Sequence, residues 1–120
     1  MSYDISLTHP RTNEVLEAPE KHYMQGGSYV LGGTKMLWLN VTYNYGDIYR
    51  RPDIFGHHGI HVLDDLTGGE SIPLLKKAID SLKDDDEEDY WKPTEGNARR
   101  ALINLLKMAQ MRPDGIWKVE

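Results

Sequence analysis

The chain has 120 residues, 39% of them hydrophobic and 28% charged, with a formal net charge of −5. That is apolar material for one core and too little chain for a second, so a single domain over residues 1–120 is expected. The negative balance argues against a surface for direct nucleic-acid binding, and the lack of cysteine excludes disulfides, a thiolate nucleophile and a Cys-based zinc site.

No apolar run approaches the ~20 residues that cross a bilayer. The N-terminal Met1-Ser2-Tyr3-Asp4-Ile5 has no basic segment leading into an apolar one. A cytoplasmic protein with no membrane partner is therefore expected, and Asn40-Val41-Thr42 reads as an idle sequon.

Residues 3–7 alternate, which puts Tyr3, Ile5 and Leu7 on one face of a strand. His9-Pro10-Arg11-Thr12-Asn13 is turn chemistry, and Glu14-Val15-Leu16 returns as a short second strand. Beyond a polar stretch with Pro19, the pairs Gly26-Gly27 and Gly32-Gly33 bracket Ser28-Tyr29-Val30-Leu31, a candidate strand between turns. The strongest strand pattern covers residues 35–45. It turns Leu37, Leu39, Val41 and Tyr43 toward a core and Met36, Trp38, Asn40, Thr42 and Asn44 the other way. This second face, one large aromatic among neutral hydrogen-bonding groups, is not ordinary core.

Arg50-Arg51-Pro52 ends that strand. Residues 53–66 read as one short helix with Ile60, Leu63 and Leu66 inward, closed by Thr67-Gly68-Gly69. Ser71 is the expected cap of the next helix, with Pro73 in its first turn and Ile72, Leu75, Ile79 and Leu82 as its apolar stripe. Six of the nineteen carboxylates fall in the run 84–89, at the negative end of that helix, which predicts fraying. Thr94 caps a last helix over residues 95–110, with Ala98, Ala101, Leu102, Leu105, Leu106 and Ala109 along one side. Arg99, Arg100 and Lys107 lie off that stripe. After the turn Pro113-Asp114-Gly115, Ile116-Trp117 tucks back. The whole pattern predicts an α+β fold: a small, mainly antiparallel sheet of about four strands packed by two to three α-helices.

Four residue sets bear on function. His57 and His61 stand one turn apart if their segment is helical and could share a metal, but a third ligand is not defined by spacing, and exposed or capping histidines are the default. The glycine pairs lack the Gly-Lys-Ser/Thr order of a phosphate loop and lead into a strand, so tight turns are the default, with backbone N–H groups beside Thr34 offered to an anion as the alternative. Tyr29, Trp38, Asn40, Asn44 and Tyr45, with Arg50 and Arg51 just beyond, combine aromatic faces, amides and guanidinium groups that suit a nucleotide-like ligand. Asp84, Asp85 and Asp86, followed by Tyr90 and Trp91, form either a solvated loop or a negative contact surface for a basic partner. No serine or threonine has a spacing-defined base, so no catalytic residue and no cofactor is assigned.

The series Ser2-Tyr3-Asp4-Ile5-Ser6-Leu7, Gly26-Gly27-Ser28-Tyr29, Gly32-Gly33-Thr34, Trp38-Leu39-Asn40-Val41-Thr42-Tyr43-Asn44-Tyr45, Glu70-Ser71-Ile72-Pro73, Tyr90-Trp91 with Thr94-Glu95-Gly96-Asn97-Ala98, and Met111-Arg112-Pro113-Asp114-Gly115 resembles small uncharacterised bacteriophage and prophage proteins. The resemblance implies an accessory protein of the host bacterial cytoplasm. In an anti-defence role it would sequester a nucleotide-like molecule or, as an anti-CRISPR-like inhibitor does, bind a host defence protein. A metal-dependent enzyme using His57 and His61 is the weaker alternative. Trp38, large and apolar, also predicts a homodimer with any ligand near its interface.

Overall fold

The computed structural model describes every residue except Asp86. Its strands are β1 (Ser2–Thr8), β2 (Glu17–His22), β3 (Thr34–Met36), β4 (Trp38–Thr42) and β5 (Ile116–Val119); its helices are α1 (Gly46–Tyr49), α2 (Gly68–Asp80) and α3 (Glu95–Met111). The α+β class stands. The strands, however, form two antiparallel sheets: three strands in the order β4-β1-β5, and the pair β2-β3.

In the larger sheet Tyr3 faces Val41 and Ile5 faces Leu39 on one side, while Ile5 faces Val119 and Leu7 faces Trp117 on the other. All seven side chains are buried in one cluster with Leu75, Ala78 and Ile79 of α2 and Ala98, Leu102, Leu105 and Met108 of α3. The alternation read from residues 3–7 is thus the inner face of the central strand.

The strand pattern over 35–45 is broken at Leu37. Its N–H donates to the Leu16 carbonyl (2.9 Å), its carbonyl accepts from Leu7 N–H (3.0 Å), and Leu16 N–H donates to the Leu7 carbonyl (2.8 Å). Three buried leucines therefore close a backbone ring at the seam between the sheets. Sequence alternation cannot register such a break, because Leu37 stays inward on both sides of it. The expected return strand at 14–16 contracts to a single bridge between Thr8 and Val15, and residues 23–33 form a loop with no strand at 28–31. Past Thr42 the alternation ends. The Thr42 hydroxyl accepts from Asn44 N–H (3.1 Å) and starts a 3-10 turn, which turns Tyr43 outward and buries Tyr45.

Residues 53–66 do not form one helix. Gly56 and Gly59 adopt positive φ, and only Gly59–Leu63 is helical, as a 3-10 segment, with Ile60 and Leu63 buried. Thr67-Gly68-Gly69 starts a helix instead of stopping one. Thr67 Oγ1 accepts from Glu70 N–H (3.0 Å) and Glu70 Oε1 accepts from Thr67 N–H (2.9 Å), a reciprocal capping box. The spare donors of Gly68 and Gly69 reach the Gly115 and Pro113 carbonyls. A Cβ on Gly68 would lie 2.7 Å from the Arg112 carbonyl oxygen, so glycine here permits a close backbone approach.

Ser71, one turn further in, is therefore not the cap. Its hydroxyl donates to the Gly68 carbonyl (2.7 Å) and accepts from Trp117 Nε1–H (2.8 Å), both fully buried. Pro73 sits in the second turn, inside the helix. Removal of the hydroxyl in Ser71→Ala strands the indole N–H in the core. It should cost ~1–3 kcal/mol in urea unfolding, more than the ~1 kcal/mol expected of the half-buried cap variant Thr67→Ala.

Candidate functional site

One edge of β4 pairs with β1; the other has no strand beside it. Its buried peptide groups nevertheless need partners. Tyr90 supplies them: its hydroxyl accepts from Thr42 N–H (3.0 Å) and donates to the Asn40 carbonyl (3.2 Å), which also accepts from Gly27 N–H (3.2 Å). Burial raises the Tyr90 hydroxyl above its ordinary pKa, against the pull of the Thr42 and Gly27 N–H groups, so it remains a donor. The Tyr45 hydroxyl, itself raised by burial, donates to the Tyr90 carbonyl. Asn44 Nδ2 donates to the Trp91 carbonyl (2.9 Å).

Asn40 ties down the loop on the other side. Its Nδ2 donates to Asp4 Oδ1 (3.0 Å) and its Oδ1 accepts from Ser28 N–H (3.1 Å). Gly26 passes so close that a Cβ would lie 1.5 Å from the Asn40 carbonyl oxygen. Asn40 and Asn44, the amide positions on the unusual face of β4, are thus taken up by the chain itself. Asn40, Asn44 and Tyr45, three of the expected ligand contacts, are used in holding the two loops.

The acidic run is also engaged. The chain turns after α2 and brings Asp85 to the start of α3, where its Oδ1 accepts from Gly96 N–H (2.9 Å). Glu95 Oε1 accepts from Lys83 N–H (3.0 Å), and that bond together with Arg51 holds the Glu95 carboxyl below the usual carboxylate range. Asn97, buried, accepts from Glu87 N–H (2.8 Å) and donates to the Asp89 and Lys92 carbonyls. Asp85, a charge that looked misplaced at the end of α2, serves the positive end of α3. Asp86 of the expected contact surface lies outside the described residues.

Between the two loops and α3 opens a groove of about 820 Å³. Tyr23, Gln25 and Tyr29 come from the first loop; Glu88, Tyr90 and Trp91 from the second; Arg100, Ile103, Asn104 and Lys107 from α3. Tyr23, Tyr29 and Trp91 are 69%, 47% and 48% exposed, so three aromatic faces stand open to a ligand. Trp91 meets the ring of Tyr90 edge-on at 5.0 Å and lies against Gly27, whose added Cβ would be 2.7 Å from the indole. Arg100 donates to Asn97 Oδ1 (3.1 Å) and toward the Glu87 carbonyl (3.4 Å). Lys107 has no ion-pair partner among the described residues.

Of the ligand residues expected from sequence, only Tyr29 lines this groove; Tyr90 and Trp91, expected to contact a partner, line it too. Trp38 is half-buried on the outer sheet face beside Ser6. Arg50 pairs with Asp47 (2.5 Å), and Arg51 bridges Asp53 (2.7 Å) and Glu95 (3.1 Å). The His57 ring packs on His58 and the His61 ring on Tyr3, and no three His, Asp or Glu groups are arranged for a metal among the described residues. Tyr23, Gln25, Asn104 and Lys107 were missed. The helix positions had a signal: 100, 103, 104 and 107 recur at helical spacing as a second stripe beside the apolar one.

Tyr90→Phe keeps the ring and removes the hydroxyl shared by two β4 peptide groups, so it should destabilise the fold by ~1–3 kcal/mol in denaturant titration. Gly26→Ala should cost at least as much, because the added methyl meets backbone. Among known proteins, no family model, curated protein or solved structure matches the chain, which leaves its function to be read from this groove.

Proposed function

We propose that the chain is a binding module that holds a planar, anionic small molecule of the nucleotide class in the groove between its two loops and α3. The observation that carries this reading is the convergence of Tyr29, Tyr90 and Trp91 with Lys107 and Arg100 on one cleft of about 820 Å³. Aromatic faces stack on a base, amides such as Gln25 and Asn104 meet its polar edge, and cations attract phosphate. The described lining has no serine, threonine or histidine, so binding is the chemistry these groups supply most directly. For an accessory protein of the phage type, in a bacterial host cytoplasm, sequestration of a signal molecule is a role that binding alone fulfils.

A thermal-shift screen with nucleotides, followed by tryptophan fluorescence, tests the reading. At ~100 times Kd a ligand adds about 2.7 kcal/mol, which should raise Tm by roughly 5–15 °C. Trp91→Ala should weaken binding at least about fivefold. Lys107→Gln should weaken it most at low salt. No shift with any nucleotide at millimolar concentration would remove the proposal.

A second reading, a docking face for a basic protein, is favoured by a different observation. Residues 23–34 carry no charged side chain, Leu31 is 85% exposed, and the acidic loop with Glu88 borders the same groove. Under this reading Leu31→Asp or Glu88→Lys abolishes the effect in cells without changing Tm. Asp85 must be left intact in such a test, since neutralising it removes a bond to the start of α3. An effect that survives both substitutions would exclude this surface.

A further inference from the structure

The size of the groove and its charge balance narrow the class of nucleotide. This step rests on the nucleotide reading above. A volume of about 820 Å³ is near the upper end of the ~300–1,000 Å³ typical of small-molecule sites, so a single mononucleotide leaves much of the groove to water. The described lining contains two cations, Arg100 and Lys107, and one carboxylate, Glu88, a balance of 2 − 1 = +1. Arg100 already spends donors on Asn97 and the Glu87 carbonyl. A triphosphate, with several negative charges crowded at one end, has no matching cluster of cations here and would meet Glu88.

The aromatic groups are also divided. Tyr23 and Tyr29 belong to the loop between β2 and β3, whereas Tyr90 and Trp91 belong to the loop between α2 and α3. Trp91 and Tyr90 are mutually edge-on (88°), so they offer one stacking face between them and not two parallel ones. The backbone behind Trp91 is held on both sides: its N–H donates to Asp89 Oδ1 (3.1 Å) and its carbonyl accepts from Asn44. A station fixed in this way favours stacking, because little freedom is lost on binding. There is thus at least one aromatic station on each wall, with few net positive charges among the described lining.

We infer that the groove takes a dinucleotide: two bases, one stacked at Trp91 and one at Tyr29, joined by a linkage of one or two negative charges near Lys107. Linear and cyclic forms share this chemistry, and the test separates them. Calorimetric titrations of the intact chain would use the adenine, guanine and uracil homodinucleotides, linear and 3′,5′-cyclic, against the matching mononucleoside mono- and triphosphates.

At least one dinucleotide should bind about tenfold or more tighter than its own mono- and triphosphate, since a second base adds a second stack. Tyr29→Ala and Trp91→Ala should each bring dinucleotide affinity down to about that of the mononucleotide, while Trp91→Phe, which keeps a stacking face, largely restores it. Tyr29 and Trp91 are half exposed, so circular dichroism and Tm should show both variants folded. Mono- or triphosphates that bind as tightly as every dinucleotide would overturn this inference and leave the nucleotide reading standing. No binding by any member of the set would overturn both.

Discussion

The unpaired edge of β4 is the constraint on which the arrangement of the groove depends. A buried peptide edge with nothing beside it leaves several donors and acceptors unsatisfied, each at a cost comparable to a lost hydrogen bond. This chain meets that demand with a phenol from residue 90 and a peptide N–H from residue 27, instead of a further strand. Because the two partners come from different loops, satisfying one edge brings those loops together. The groove is the space left between them above α3. The same contacts block the edge from pairing with another chain, a common route to aggregation for exposed strands.

The acidic loop shows how little a charge run means without its neighbours. Judged against α2 alone, six carboxylates after the last turn are unfavourable. Beyond that last turn the chain meets a second helix N-terminus, and Asp85, Glu95 and Thr94 satisfy donors around it. These local bonds outweigh the surface pairs Arg50–Asp47 and Arg112–Asp114, which water and salt screen. What stabilises the site is therefore capping and edge satisfaction, with Asn97 joining the acidic loop to α3 and Tyr90 joining it to β4.

The walls of the groove differ in how they are held. The Trp91 wall is anchored by Asn44, Asp89 and the Tyr45–Tyr90 bond, so its aromatic face is presented in one orientation. The opposing loop is tied at Gly26, Gly27 and Ser28 through Asn40, and beyond them it carries exposed Tyr29, Val30 and Leu31 to Gly32 and Gly33, both at positive φ. Under the proposed nucleotide reading, affinity would be drawn mainly from the anchored wall, where stacking costs least order, and selectivity from the pair of walls together.

Local pattern was enough to determine the α+β class, the inner face of β1, the Thr94 cap and the apolar stripe of α3, because each depends on residues within a few positions of one another. It also marked β4 as a strand whose second face needed an explanation. The explanation itself was not legible there. The break at Leu37 and the occupation of Asn40 and Asn44 arise from partners 12 to 47 residues away, whereas the reversal of Thr67-Gly68-Gly69 from helix stop to helix start rests on the local capping box with Glu70. Arg50 and Arg51 were grouped with the aromatics by proximity in sequence, yet folding pairs them with Asp47, Asp53 and Glu95 and brings Lys107 and Asn104 to the groove instead. Residue types in a sequence show which chemistries a chain has; only the closing of β4's edge decided which of them face the same space.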